Sequence, residues 1–192
     1  MDATEASLIM FRFLAGLVLG LVLLPLCLLL WFKLGSVPVA VSDPPLPYER
    51  QITHIALNAR IAKEAPDMAP FQPNEQTYVE GARVYKQNCA FCHGLHGQPS
   101  TTGQDMFPDA PPLWEPHRTG NVVGVSDDPA GETYWKVANG IRLTGMPSYR
   151  GRLSDTQIWQ VALLLSHANQ PLPPAALQIL KPQAAPAATA KP

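Results

Sequence analysis

The chain has 192 residues, 46% hydrophobic and 15% charged, with a formal net charge of −1. That length holds one ordinary domain with appendages, and the balanced charge lacks the basic excess that marks nucleic-acid binding. Three cysteines are too few for a disulfide framework.

The first element is the charge-free run from Phe13 to Phe32, bounded by Arg12 and Lys33. At ~1.5 Å per helical residue it matches the ~30 Å hydrocarbon core of a bilayer. Pro25 is tolerated in such a span, and Trp31 and Phe32 stand where interfacial aromatics are expected. A cleaved signal peptide is the competing reading. It fits less well, because the apolar run is long, the basic segment before it is thin and no small-x-small cleavage site follows. A lipidated Cys27 is disfavoured by the bulky Leu26 before it. Residues 1–12 are therefore read as a short N-terminal segment and 13–33 as a transmembrane anchor.

Residues 34–73 read as a proline-rich linker holding one short helix. Ser36–Pro47 (SVPVAVSDPPLP) should be extended. Ile52–Glu64 carries apolar residues at 52, 55, 56, 59 and 61–62, a helical stripe suited to lying on the domain or on the membrane surface.

The compact domain is expected over 74–169. Glu75–Asn88 is its first helix, with Asn74 or Thr77 as cap. Gly94–Asp128 is punctuated by glycine and proline and should hold little regular structure. Glu132–Asn139 is a short helix, with Gly140 at the position of a left-handed C-cap. Ser154–Gln157 is a capping box that opens an apolar helix running to Leu165. With no alternating β pattern, the fold class is all-α. Residues 170–192, rich in Pro and Ala, read as a disordered tail.

The chemistry is concentrated in Cys89-Ala90-Phe91-Cys92-His93. Two thiols at this spacing can form thioethers to the vinyl groups of one haem, while the adjacent imidazole becomes an axial iron ligand. A zinc half-site needs further ligands, and the only other cysteine lies in the apolar span. A redox dithiol belongs in a βαβ setting, which this sequence lacks. For the sixth ligand, Met146 is best placed, because Gly145 and Pro147 give it a close-approaching, rigid frame. Met106 is the weaker choice. His96 is too near its partner to cross the ring, and His54, His117 and His167 read as plain surface residues. Met68 completes the candidates.

With these residues in view, the chain resembles class I c-type cytochromes with one haem and a membrane anchor. The similarity runs from Gly81 to about Leu165. It rests on Gly81-x3-Tyr85-x3-Cys89 leading into the haem motif, on Ala110-Pro111-Pro112-Leu113, on Gly145-Met146-Pro147 and on Trp159 in the last helix. The resemblance implies covalent haem c on Cys89 and Cys92, with His93 and Met146 as axial ligands. It implies that the first and last helices cross near Gly81, with Tyr85 and Trp159 beside the haem. It also implies that Leu113 lines the ring and that the Pro111 carbonyl accepts the His93 Nδ1–H. The doubled proline leaves Pro112 as the alternative acceptor. Trp114 and Tyr149 read equally as haem neighbours or as ordinary core.

Two filled axial positions argue for electron transfer by an Fe(III)/Fe(II) couple and against catalysis. The expected role is a tethered shuttle in a bacterial respiratory chain, or else a fixed haem subunit of a membrane oxidase, reductase or dehydrogenase. The partners expected are redox proteins in or on the membrane, with no nucleic acid and no small-molecule substrate. Arg142, Arg150 and Arg152 form a candidate docking rim, with solvation of the surface as the plain alternative and a haem propionate as another partner for Arg142. The resemblance places the haem domain in the periplasm, on a single-pass anchor in the cytoplasmic membrane.

Overall fold

The computed structural model describes residues 3–117 and 122–182. It divides into two compact units, Met1–Pro47 and Tyr48–Pro192.

The first unit is the helix α1, Ala3–Leu34. Ser7–Leu34 is long and apolar enough to cross a membrane, and its leucines, valines and phenylalanines all stay exposed. A water-soluble helix would have to bury such a surface; a lipid-facing one does not. Pro25 lies inside the helix without ending it. Helix also extends upstream of residue 13, where the expected anchor began. Beyond α1, the Asp43 carboxylate accepts the backbone N–H of Val39 (2.8 Å) and of Ala40 (2.9 Å), folding the linker into a local turn.

The second unit contains α2 (Glu49–Glu64), α3 (Glu75–Asn88), α4 (Ala90–His93), α5 (Thr101–Gln104), α6 (Ala130–Asn139), α7 (Asp155–Ser166) and α8 (Pro174–Leu180). Among the described residues it holds no sheet, only isolated bridges between Leu95 and Gln98 and between Pro116 and Val123. The frame is the crossing of α3 and α7. Both open with capping boxes: Asn74 Oδ1 accepts Thr77 N–H at 2.9 Å, and Ser154 Oγ accepts Gln157 N–H at 3.3 Å. Each such cap stabilises a helix by ~1 kcal/mol. Gly81 stands at the crossing, where a Cβ would run into the Gln160 carbonyl. The helices meet there backbone to backbone, which no other residue allows. Val79, Ala82, Val84 and Tyr85 of α3 bury themselves against Ile158, Val161, Leu164 and Leu165 of α7.

Helix α6 packs along α7 and also contacts α2. Ile61 of α2 is buried, and Trp135 Nε1–H donates to Glu64 Oε2 at 3.1 Å. Gly131 passes so close to the Pro66 carbonyl that a side chain would not fit. Gly140 has φ 68° but ψ −178°, so it ends α6 in an extended glycine conformation rather than in the left-handed cap expected.

The C-terminal segment departs from expectation. Residues 170–192 were read as a disordered tail, yet Leu172 is buried and α8 packs on α3, burying Ala176 and Leu180. The physical reason is apolar spacing: Leu172, Ala176 and Leu180 recur every four residues and cover one face of α3, while Pro174 starts the helix at a position where proline is favoured. Residues 183–192 of that tail lie outside the described residues.

Candidate functional site

Helix α3 delivers the chemistry. It ends at Asn88, and Cys89 caps it and also starts the single turn α4. The N–H groups of Cys92 and His93 both donate to the Cys89 carbonyl, at 3.1 and 3.0 Å. That turn places Cys89, Cys92 and His93 at positions i, i+3 and i+4, on one face. Both thiols are free. Burial, reinforced by the neighbouring Cys92, pushes the Cys89 thiol up to about 12. A reactive redox dithiol needs the opposite shift. Among the described residues no group of three or more His, Cys, Asp and Glu gathers to complete a metal cluster.

His93 is held by its far nitrogen. Its Nδ1–H donates to the Pro111 carbonyl at 2.8 Å, so of the two adjacent prolines Pro111 is the acceptor. Burial drives the His93 pKa down, against the raising effect of that bond. The result is a neutral imidazole whose bare Nε2 can face an iron. The Leu113 N–H donates to the His93 carbonyl at 3.4 Å, and Leu113 is buried beside it.

Tyr85 is fully buried and donates its hydroxyl to the Gly94 carbonyl at 2.8 Å, fixing the chain as it leaves the motif. Burial keeps that hydroxyl protonated far above its ordinary range. Trp159 does not lie in the same cluster. It stacks on Tyr134 of α6, with ring centroids 4.3 Å apart. The aromatic that meets Tyr85, edge-on at 5.5 Å, is Trp114. The pairing follows from α6, whose packing along α7 offers Trp159 the flat face of Tyr134.

Met146 is partly buried and packs against the same core as Tyr85, Cys89 and Leu113. Its loop is tied on every side. The Met146 carbonyl accepts Ile141 N–H at 3.2 Å, and its N–H donates to Thr144 Oγ1 at 3.1 Å. Ser148 Oγ donates to the Ala138 carbonyl at 2.7 Å. Tyr149 is buried, and its hydroxyl donates to the Asn88 carbonyl at 2.7 Å, one residue before Cys89. This bond joins the methionine loop to the cysteine helix. Gly140 lies under the loop, where a Cβ would come within 2.8 Å of the Met146 carbonyl.

Met106, the weaker candidate, reaches the same place, its terminal methyl lying against Gly145. Met68, His54, His96 and His117 are exposed, and half-buried His167 stacks on Tyr78 at 4.8 Å. Arg142, Arg150 and Arg152 are exposed. The acidic residues Asp128 and Glu132 are engaged by Lys136, at 3.1 and 2.6 Å.

The residues present fit a covalently held haem. Two unpaired thiols and an oriented imidazole share one face, and a framed thioether packs on the same core. Trp114 supplies a further sign. Its indole Nε1–H is buried near the Tyr85 hydroxyl, whose proton it influences, without reaching good hydrogen-bond geometry. A buried donor left open costs ~1–3 kcal/mol, which an acidic group on a bound ligand would relieve.

Residues 76–165, from the first turn of α3 almost to the end of α7, match the family model described as Cytochrome C oxidase, cbb3-type, subunit III. No curated protein and no solved structure matches the chain. This region is thus a monohaem class I c-type cytochrome domain, which carries covalently bound haem c and acts in haem-based electron transfer.

Proposed function

We propose that the protein is a membrane-tethered electron carrier, with its haem domain on the periplasmic side of a bacterial cytoplasmic membrane. Bound there, haem c supplies a one-electron Fe(III)/Fe(II) couple. The observation that carries the reading is the way His93 and Met146 are prepared as ligands. Pro111 presets the imidazole, and the Gly140–Tyr149 segment presets the thioether. If both His93 and Met146 bind the iron, the chain itself would fill the sites that a substrate would need. Cys89 and Cys92 would hold the group covalently, Leu113 and Tyr85 would exclude water beside it, and the buried Trp114 indole would offer it a hydrogen-bond donor. A thioether ligand and an apolar surround both favour the reduced state and a raised potential.

A second reading is favoured by the family description, which names an oxidase subunit. In that reading the domain is a fixed relay within a larger membrane complex. Extraction of the membranes in mild detergent, followed by sizing of the haem absorbance, separates the two. A small species holding only this chain is the result expected for a carrier. Co-migration of the haem with a large catalytic chain overturns the mobile role and establishes the relay.

A further inference from the structure

The helix α2 presents two apolar faces, and the domain uses one. Ile61 and Glu64 are turned to α6, where Ile61 is buried and Glu64 accepts the Trp135 indole N–H, and Leu57, one turn before Ile61, is half-buried. On the other side Ile52, Ile55, Ala56 and Ala59, at i, i+3, i+4 and i+7, form a second stripe. Every one of these four is exposed, Ile52 at 63% and Ile55 at 70%. Exposed Tyr48 stands at the N-terminal end of the helix. Lys63 continues the edge of the stripe one turn beyond Ala59.

We propose that this outer face of α2 lies on the surface of the bilayer in which the chain is anchored, so that the haem domain is held in one orientation to the membrane. Three observations select lipid as the occupant. The anchor helix ends at Leu34 and α2 begins at Glu49. At ~3.3–3.6 Å per residue, the connecting segment cannot carry α2 farther than about 50 Å from the end of the anchor. The bilayer is therefore the one apolar phase always within reach of the stripe. The pattern itself suits an interface: a narrow apolar stripe with an aromatic at one end and a basic side chain at its edge, placed to meet anionic headgroups. Finally, the stripe lies opposite the face that packs on α6, so contact with lipid requires no part of the domain to unfold. Because Glu64 and Ile61 fix α2 to α6, whatever orients α2 also orients the domain.

The test uses the full haem-loaded chain in vesicles of phosphatidylethanolamine and phosphatidylglycerol. A Cys27→Ser background leaves no free thiol once the motif cysteines hold haem. A nitroxide is attached at Ile55→Cys and, for comparison, at Arg50→Cys, exposed on the opposite side. The expected result is that position 55 is accessible to oxygen and shielded from a water-soluble nickel chelate, with the reverse at position 50. Equal exposure of both to the chelate would show the stripe in water. Shielding of position 55 from both reagents would show it covered by protein. Either outcome overturns the proposal. Replacing Ile52 and Ile55 by Gln should make a label at Ala59 accessible to the chelate while the haem absorbance per chain is unchanged. Loss of haem in that variant would assign the stripe to the fold instead and overturn the proposal as well.

Discussion

As the proposed iron ligands, His93 and Met146 are positioned by different means, and substitutions should separate them. The imidazole is oriented by a single hydrogen bond to Pro111. The thioether is oriented by a loop whose Ile141 N–H closes on the Met146 carbonyl and whose Ser148 and Tyr149 hydroxyls donate to the Ala138 and Asn88 carbonyls. Met146→Ala removes the proposed soft ligand while leaving that loop intact. The expected outcome is a lowered midpoint potential, a changed ferric spectrum and new binding of carbon monoxide. An unchanged spectrum with no carbon monoxide binding would remove Met146 from the iron. Gly140→Ala should shift the same spectrum less and destabilise the domain by ~1–3 kcal/mol, since a positive φ is strained for any residue bearing a Cβ. The proposed ligands could be named from the sequence because their chemistry is local: the cysteine-histidine run and the glycine-proline frame are contiguous. Other contacts around them could not. Trp114 beside Tyr85, Tyr149 donating to Asn88 and Met106 against Gly145 all join distant segments, and no local pattern marks such closures. Trp159 shows the same limit from the other side, since its place was set by Tyr134 on α6.

Helix ends and buried stripes carry local signatures, so α3, α6 and α7 could be read in advance from caps and periodicity. The segment that became α8 was obscured by its Pro and Ala content, although the spacing of Leu172, Ala176 and Leu180 was present. The partner of α2 was equally hidden, because the Trp135–Glu64 bond joins residues 71 apart in sequence. That bond makes the α2 junction sensitive to acid. Glu64 has its pKa lowered, chiefly by the Arg60 side chain paired with it and then by the Trp135 N–H. A carboxyl whose folded pKa lies below its unfolded value stabilises the fold above the unfolded value. That contribution is lost as pH falls through the lowered one. Backbone amides of α2 should therefore lose exchange protection, corrected for intrinsic rates, as pH drops below the ordinary carboxylate range, while α3 and α7 keep theirs. Glu64→Gln should make α2 protection independent of pH over that window. Loss of α2 protection in step with the whole domain, or an acid response surviving in Glu64→Gln, would sink the assignment.

For the whole molecule, the anchor and the outer stripe of α2 act on one problem, the position of the haem domain near its membrane, at very different strengths. An apolar helix of the length of Ser7–Leu34 holds the chain in the bilayer permanently. Two isoleucines do not, since a fully buried isoleucine contributes only ~1.5–3 kcal/mol, and an interfacial one is only partly buried. Binding worth about 4 kcal/mol corresponds to dissociation near 1 mM, useless to a free protein. A short flexible linker supplies an effective concentration on the order of mM, which is enough for such a weak contact to be populated. The stripe should therefore work only while the linker is whole. A specific protease site inserted after Val41, in the exposed part of the linker, tests this in vesicles. Cleavage should release a soluble, haem-bearing fragment with an unchanged absorption spectrum, because the core from Val79 to Leu180 lies entirely within the unit that begins at Tyr48. A cut fragment that still sediments with the vesicles would mean that a much stronger membrane or protein contact holds the domain, and the balance argued here between tether and stripe would fail. A clean release, with α2 shielded before the cut and open to the chelate after it, would show the linker acting as a concentrator, turning a weak helix face into a fixed orientation.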